Sequence, residues 1–79
     1  MSVQKWHPEA KSALLELRKW QEARPSDTAP TEERIHSLEW IADILSRLAH
    51  YGPPSVQNAL IESEQHRRKA QALREELKE

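Results

Sequence analysis

Four histidines, a scatter of carboxylates, one basic run and three tryptophans are the side chains in this chain that could do chemistry. A helix offers two ligands to one metal ion only at a spacing of three or four residues. His7, His36, His50 and His66 share no such spacing. His36 and His50 lie fourteen residues apart, about 21 Å along a helix axis. No metal site is expected from them. Glu39 and Asp43 stand one helical turn apart, and paired carboxylates can divide into acid and base when their surroundings differ. Here both fall on a polar arc beside Arg47, which can pair with Asp43, so a solvated face is expected. Ser46 precedes His50 by four residues, but nothing near them in sequence supplies an oxyanion donor. Gly52 is the sole glycine and cysteine is absent. That removes glycine-rich phosphate loops, disulfides, thiol chemistry and zinc knuckles. Catalysis needs a preorganised pocket, and a short chain leaves little surface for one. The chain is therefore read as a non-enzyme, with no cofactor and no small-molecule substrate evident.

Binding is the remaining class. His66-Arg67-Arg68-Lys69 is the densest basic cluster. With Arg74 it could contact phosphates along the C-terminal helix. Glu64 can reach Arg67 and Arg68 at spacings of three and four, and Glu62, Glu75 and Glu76 dilute the field. Twelve basic residues against thirteen acidic ones also lack the positive excess of most nucleic-acid binders. A nucleic-acid accessory protein using Arg67, Arg68, Lys69 and Arg74 is thus the alternative reading. The stretch Ile41 to Glu62 has a helix, a glycine, a turn and a second helix. Two prolines in the turn, an overlong first helix and no arginine until Arg67 argue against a helix-turn-helix. The aromatic residues carry the better hint. Three tryptophans and no phenylalanine occur here, and tryptophan and tyrosine are enriched among binding hot spots. Trp40, Ile44 and Tyr51 trace a ridge along one border of the central helix, with Trp6 at the end of the first helix's stripe. These four are the expected partner-binding residues, while Trp20 belongs to the inner stripe and the core.

The elements that position these residues are helical. Strand chemistry is sparse, and Ala, Leu, Glu, Gln, Lys and Arg dominate. Prolines divide the chain into three. Pro8 suits a first helical position, and Trp6, Ala10, Ala13, Leu14, Leu17 and Trp20 repeat at threes and fours, the signature of one apolar face. Pro25 ends that helix at or before Arg24, which gives residues 8–23. Pro25 to Pro30 is turn chemistry. Thr31 is the expected N-cap of a second helix over 31–51, with Glu32 and Glu33 in its first turn. Gly52 is expected to end it in a left-handed cap before Pro53-Pro54. Ser55 is the expected cap of a third helix over 55–77, whose thin stripe is Val56, Ala59, Leu60, Ser63, Ala70, Leu73 and Leu77. Small residues at Ala59, Ser63 and Ala70 would permit close approach.

The central helix is the most informative. Its apolar residues, Ile35 through Tyr51, cover about 220° of the circumference at about 100° per residue. One neighbour cannot cover that arc. Short loops imply antiparallel neighbours. Folding about residue 27 sets Trp20 near Ile35, and folding about residue 53 sets Leu60 near Leu45 or Ser46. The expectation is a single all-α domain over 1–79: a three-helix up-down-up bundle, or a helical hairpin that self-associates. Its expected function is a small protein–protein interaction module (adaptor, inhibitor, antitoxin-like or chaperone-like subunit), its partner another protein or a second copy in a homodimer. Met1 to Trp6 lack the charged and apolar runs of a secretory signal, and no stretch reaches the ~18 apolar residues that span a bilayer. With no cysteine, a cytoplasmic location is expected.

Overall fold

The computed structural model describes residues 5–78. Among them are three α-helices and no strand: α1 (Pro8–Ala23), α2 (Thr31–Tyr51) and α3 (Asn58–Lys78), with a 3-10 turn at Pro54–Val56 leading into α3. Side-chain links fix the directions. Trp20 meets Ser37 and Glu16 meets Arg47 across the first seam; Ser63 meets Ala42 and Gln57 meets Ala49 across the second. Both seams are antiparallel, so the chain is an up-down-up all-α bundle. α2 lies along both neighbours, whereas α1 and α3 scarcely meet. The wide apolar arc of α2 is the reason: it has two faces to cover, and each outer helix covers one.

The core is one-sided in composition. α2 contributes the bulk, with Ile35, Ile41, Ile44, Leu45 and Leu48 all buried. The outer helices contribute small side chains, Ala10 and Ala13 from α1 and Ala59, Ser63 and Ala70 from α3. Alanine and serine on the outer helices are small enough to permit close approach to the large side chains of α2. Burying each large aliphatic removes it from water at a gain of roughly 1.5–3 kcal/mol, so α2 supplies most of the hydrophobic driving force. Leu17, Trp20 and Val56 pack against this cluster while partly exposed. The one buried polar residue among those described, Ser63, donates its hydroxyl proton to the Ala42 carbonyl at 2.6 Å. A buried hydroxyl is tolerated because it is satisfied. Leu60 and Leu77, read from sequence as part of the α3 stripe, are instead exposed. Leu60 is turned about 100° from Ala59, out of the seam.

Three helix ends differ from expectation. Pro30, not Thr31, occupies the N-cap of α2, and no side chain caps that end. Proline's extended geometry there (φ −52°, ψ 142°) makes Thr31 the first helical residue. Gly52 is not left-handed: its φ is −85° and its ψ 174°. Its N–H donates to the Leu48 carbonyl at 2.8 Å, and a Cβ built on it would lie 2.5 Å from both the Leu48 carbonyl oxygen and Val56 Cγ2. Glycine is needed there for close approach, not for a positive φ. Ser55 does not cap α3. Pro54 starts the 3-10 turn, and the Gln57 side-chain amide donates to the Ala49 carbonyl at 2.8 Å, tying the junction to α2. No helix among the described residues is long and apolar enough to cross a membrane.

Candidate functional site

The aromatic border of α2 is the first candidate, and the structure breaks its expected continuity. Ile44 is fully buried, at 0% exposure, so it cannot meet a partner of the folded chain. It shares one buried cluster with Ala10 and Ala13 of α1. Trp40 and Tyr51 remain 38% and 39% exposed. Eleven residues of helix place them about 16 Å apart, so the ridge is two separate aromatic spots. Tyr51 is dressed by rings: His7 stacks on it at 4.7 Å and His50 meets it edge-on at 4.6 Å. Trp6 is half-buried against the core, and its buried indole N–H has no acceptor among the described residues. His7, weighed from sequence only as a metal ligand, caps α1 instead, its Nδ1 accepting from the Glu9 N–H at 3.1 Å.

The charged residues sort into pairs. Arg47 bridges α2 to α1 by donating to the Glu16 carboxylate, and its Nε lies 3.3 Å from Asp43 without the alignment of a hydrogen bond. The Glu16 hydrogen bond outweighs desolvation and holds the guanidinium above its ordinary pKa. Glu39 accepts from Arg74 of α3. Glu39 and Asp43 are therefore each engaged by an arginine rather than by each other. Among the described residues no group of three or more His, Asp or Glu side chains could hold a metal ion.

The basic strip of α3 does not assemble on one face. Consecutive helical residues turn about 100° each, so Arg67, Arg68 and Lys69 fan out. Lys69 faces a cleft on one flank of α3, while Arg67 and Arg74 border a smaller groove beside Glu39 on the other. Arg74 is already paired with Glu39. The expected bridges from Glu64 to Arg67 and Arg68 are absent among the described residues.

Sequence reading missed that cleft, and the expectation of too little surface for a pocket is corrected by it. It is an open cleft at the end of the bundle where the 24–30 loop joins α1 to α2, with a volume of about 700 Å³. Its apolar wall is Trp20, Leu38 and Leu73; its polar rim holds Arg24, Arg34, Lys69 and one acid, Asp27. Trp20 is held in place: its indole N–H donates to the Ser37 carbonyl at 3.0 Å and to the Ser37 hydroxyl at 2.8 Å. Arg24 lies over the Trp20 ring with its Cζ 5.8 Å from the centroid, within cation–π range. His66 meets the ring edge-on at 6.1 Å, and its Nδ1 is buried without a partner. Burial first, and the charge of Lys69 second, push the His66 imidazole below its ordinary pKa against the pull of Glu62. The residues come from three helices and a loop, so no local spacing announces them. No protein-family model matches the chain, and no curated protein or solved structure matches it either.

Proposed function

We propose that the chain is a small helical protein–protein interaction module, with the α2 border around Trp40 as its docking edge. The observation that carries this reading is the exposure of Trp40. Five large aliphatics of α2 are buried to 5% exposure or less, yet the largest side chain on that helix is left 38% exposed. A tryptophan half out of a packed core offers a wide apolar contact at little entropic cost, the property of a hot-spot residue. At helical spacings of three, four and seven residues from it on α2 come Asp43, His36 and Arg47, the last paired with Glu16, the polar setting that typically rims an interface. The partner is another polypeptide, and a second copy of the chain is the first to test. The non-catalytic role and the cytoplasmic location expected of a small cysteine-free chain belong to the same proposal.

Sedimentation equilibrium across a concentration series tests it, with Trp40→Ala and Ile44→Ala compared. Trp40→Ala should abolish self-association, or retention of a binding protein by the immobilised chain, while the melt shifts little. Ile44→Ala should cost about 2–5 kcal/mol of stability by leaving a cavity. A large stability loss in Trp40→Ala with unchanged association of the folded fraction would overturn the reading.

A further inference from the structure

We infer that the cleft at the loop end is a binding site for a small organic anion, a carboxylate or phosphate carried on a flat apolar body. This does not rest on the docking edge at Trp40, which lies outside the cleft's lining.

The volume comes first. About 700 Å³ falls within the ~300–1,000 Å³ usual for ligand clefts. Its chemistry is divided as such sites are, with an apolar wall and a few convergent polar groups. The wall is the Trp20 ring with Leu38 and Leu73. The one indole N–H, shared between the Ser37 carbonyl and hydroxyl, anchors that ring before any ligand arrives, and the Arg24 guanidinium over its face can turn to an acid group while a flat apolar body takes its place on the ring.

Charge selects the ligand's sign. Arg24, Arg34 and Lys69 border the cleft, and none of the three has a carboxylate within 4.0 Å among the described residues. Away from the cleft, Arg47 holds Glu16 and Asp43 and Arg74 holds Glu39, while Arg18, Arg67 and Arg68 have no carboxylate within 4.0 Å among the described residues; what sets Arg24, Arg34 and Lys69 apart is that they converge on one concave site. Asp27 is the single acid on the rim among the described residues. Three cations facing one carboxylate across a partly desolvated cleft attract an anion, and guanidinium groups bind carboxylate and phosphate through paired N–H donors. The buried Nδ1 of His66 adds a polar atom without a partner beside the same ring.

Calorimetric titration of the full chain tests this with four probes: naphthalene-2-carboxylate, 2-naphthyl phosphate, the neutral 2-naphthylmethanol and inorganic phosphate. One or both naphthyl anions should bind saturably, and which of the two binds more tightly identifies the acid group preferred. The alcohol and inorganic phosphate should each bind at least about tenfold more weakly, as loss of a charge-assisted contact or of the ring contact implies. The indole N–H resonance of Trp20 should move on titration while those of Trp6 and Trp40 stay. Lys69→Gln alone, and combined with Arg34→Gln, should lower affinity stepwise with an unchanged melt. Since Lys69 is exposed, the single variant keeps the test valid if the double variant unfolds. The inference is overturned if the alcohol matches the acids, if free phosphate matches the naphthyl phosphate, if Trp40 rather than Trp20 responds, if Lys69→Gln binds the anions as tightly as the parent chain, or if no anion binds up to about 10 mM, an affinity too weak for a specific site.

Discussion

The two ends of the bundle are built on different terms. At the end formed by residues 51–57, the connection is stitched to the helices. The Gly52 N–H reaches the Leu48 carbonyl at 2.8 Å, the Gln57 amide reaches the Ala49 carbonyl at 2.8 Å, and the Tyr51 ring lies on His7. At the other end, residues 24–30 bond partly among themselves, the Ala29 N–H to the Ser26 carbonyl at 3.0 Å and the Ser26 and Thr28 hydroxyls to each other at 3.0 Å, and the Pro30 carbonyl accepts from the Arg34 N–H of α2 at 3.2 Å. Around that loop Arg24, Arg34 and Lys69 have no carboxylate within 4.0 Å among the described residues. One end ties its connection to the helices through Gly52 and Gln57; the other ties α1 to α2 through Trp20 and Ser37 but leaves Arg24, Arg34 and Lys69 facing a cleft. Polar groups committed to the fold add stability, and uncommitted ones in a concave place are free to bind.

The largest effect separating the ends should come from Gly52→Ala. A methyl group would be driven into the Leu48 carbonyl and Val56, and such overpacking costs about 1–3 kcal/mol. Thr28→Ala at the open end should change stability by no more than about 0.5 kcal/mol, as is usual for exposed positions. Urea unfolding of both variants measures the difference, and equal losses would erase the distinction. A smaller effect is expected from Ser37→Ala. The Trp20 indole keeps the Ser37 carbonyl as acceptor and loses only the hydroxyl, so the loss should sit near 0.5–1 kcal/mol. Tryptophan emission should broaden as the ring gains freedom; an unchanged spectrum and stability would show that the hydroxyl does not position it. The smallest effect is in pH dependence. Burial lowers the pKa of folded His66, so the folded state takes up a proton less readily than the unfolded chain, whose histidine titrates near 6.5. The contribution of neutral His66 is whole above about pH 6.5 and is lost as pH falls from there through the lowered folded value. The urea midpoint of the parent chain should therefore drop more between about pH 7.5 and about pH 5, which bracket the free value, than that of His66→Gln. Parallel slopes would mean that His66 titrates as freely folded as unfolded.

Much of this architecture was written in the residues. Pro8 and Pro25 bound α1, and the spacing of Ala10, Ala13, Leu17 and Trp20 gave its face. The register of α2 on α3 was legible too: folding about residue 53 pairs residues whose numbers add up as Ser63 and Ala42 do. The register of α1 was not placed as well. Trp20 meets Ser37 rather than Ile35, because its indole N–H needs an acceptor that an apolar side chain cannot provide. Periodicity assigns Ile44 to the same border as Trp40, yet Ile44 is buried in one cluster with Ala10 and Ala13 of α1, a packing set by tertiary register. The role of Gly52 turned on a clash with Val56, four residues on, which composition does not reveal. The cleft was invisible because Trp20, Arg34 and Lys69 are brought together only by the finished fold.

One consequence follows from the way both outer helices rest on α2 and scarcely on each other. The molecule has a spine and two leaves. Lifting α1 uncovers one flank of the spine and leaves the other seam untouched, so partial openings should have a defined order. The shorter leaf, α1, at 16 residues, detaches first, and the backbone amides of α2, shielded from both sides, are the last to exchange with solvent.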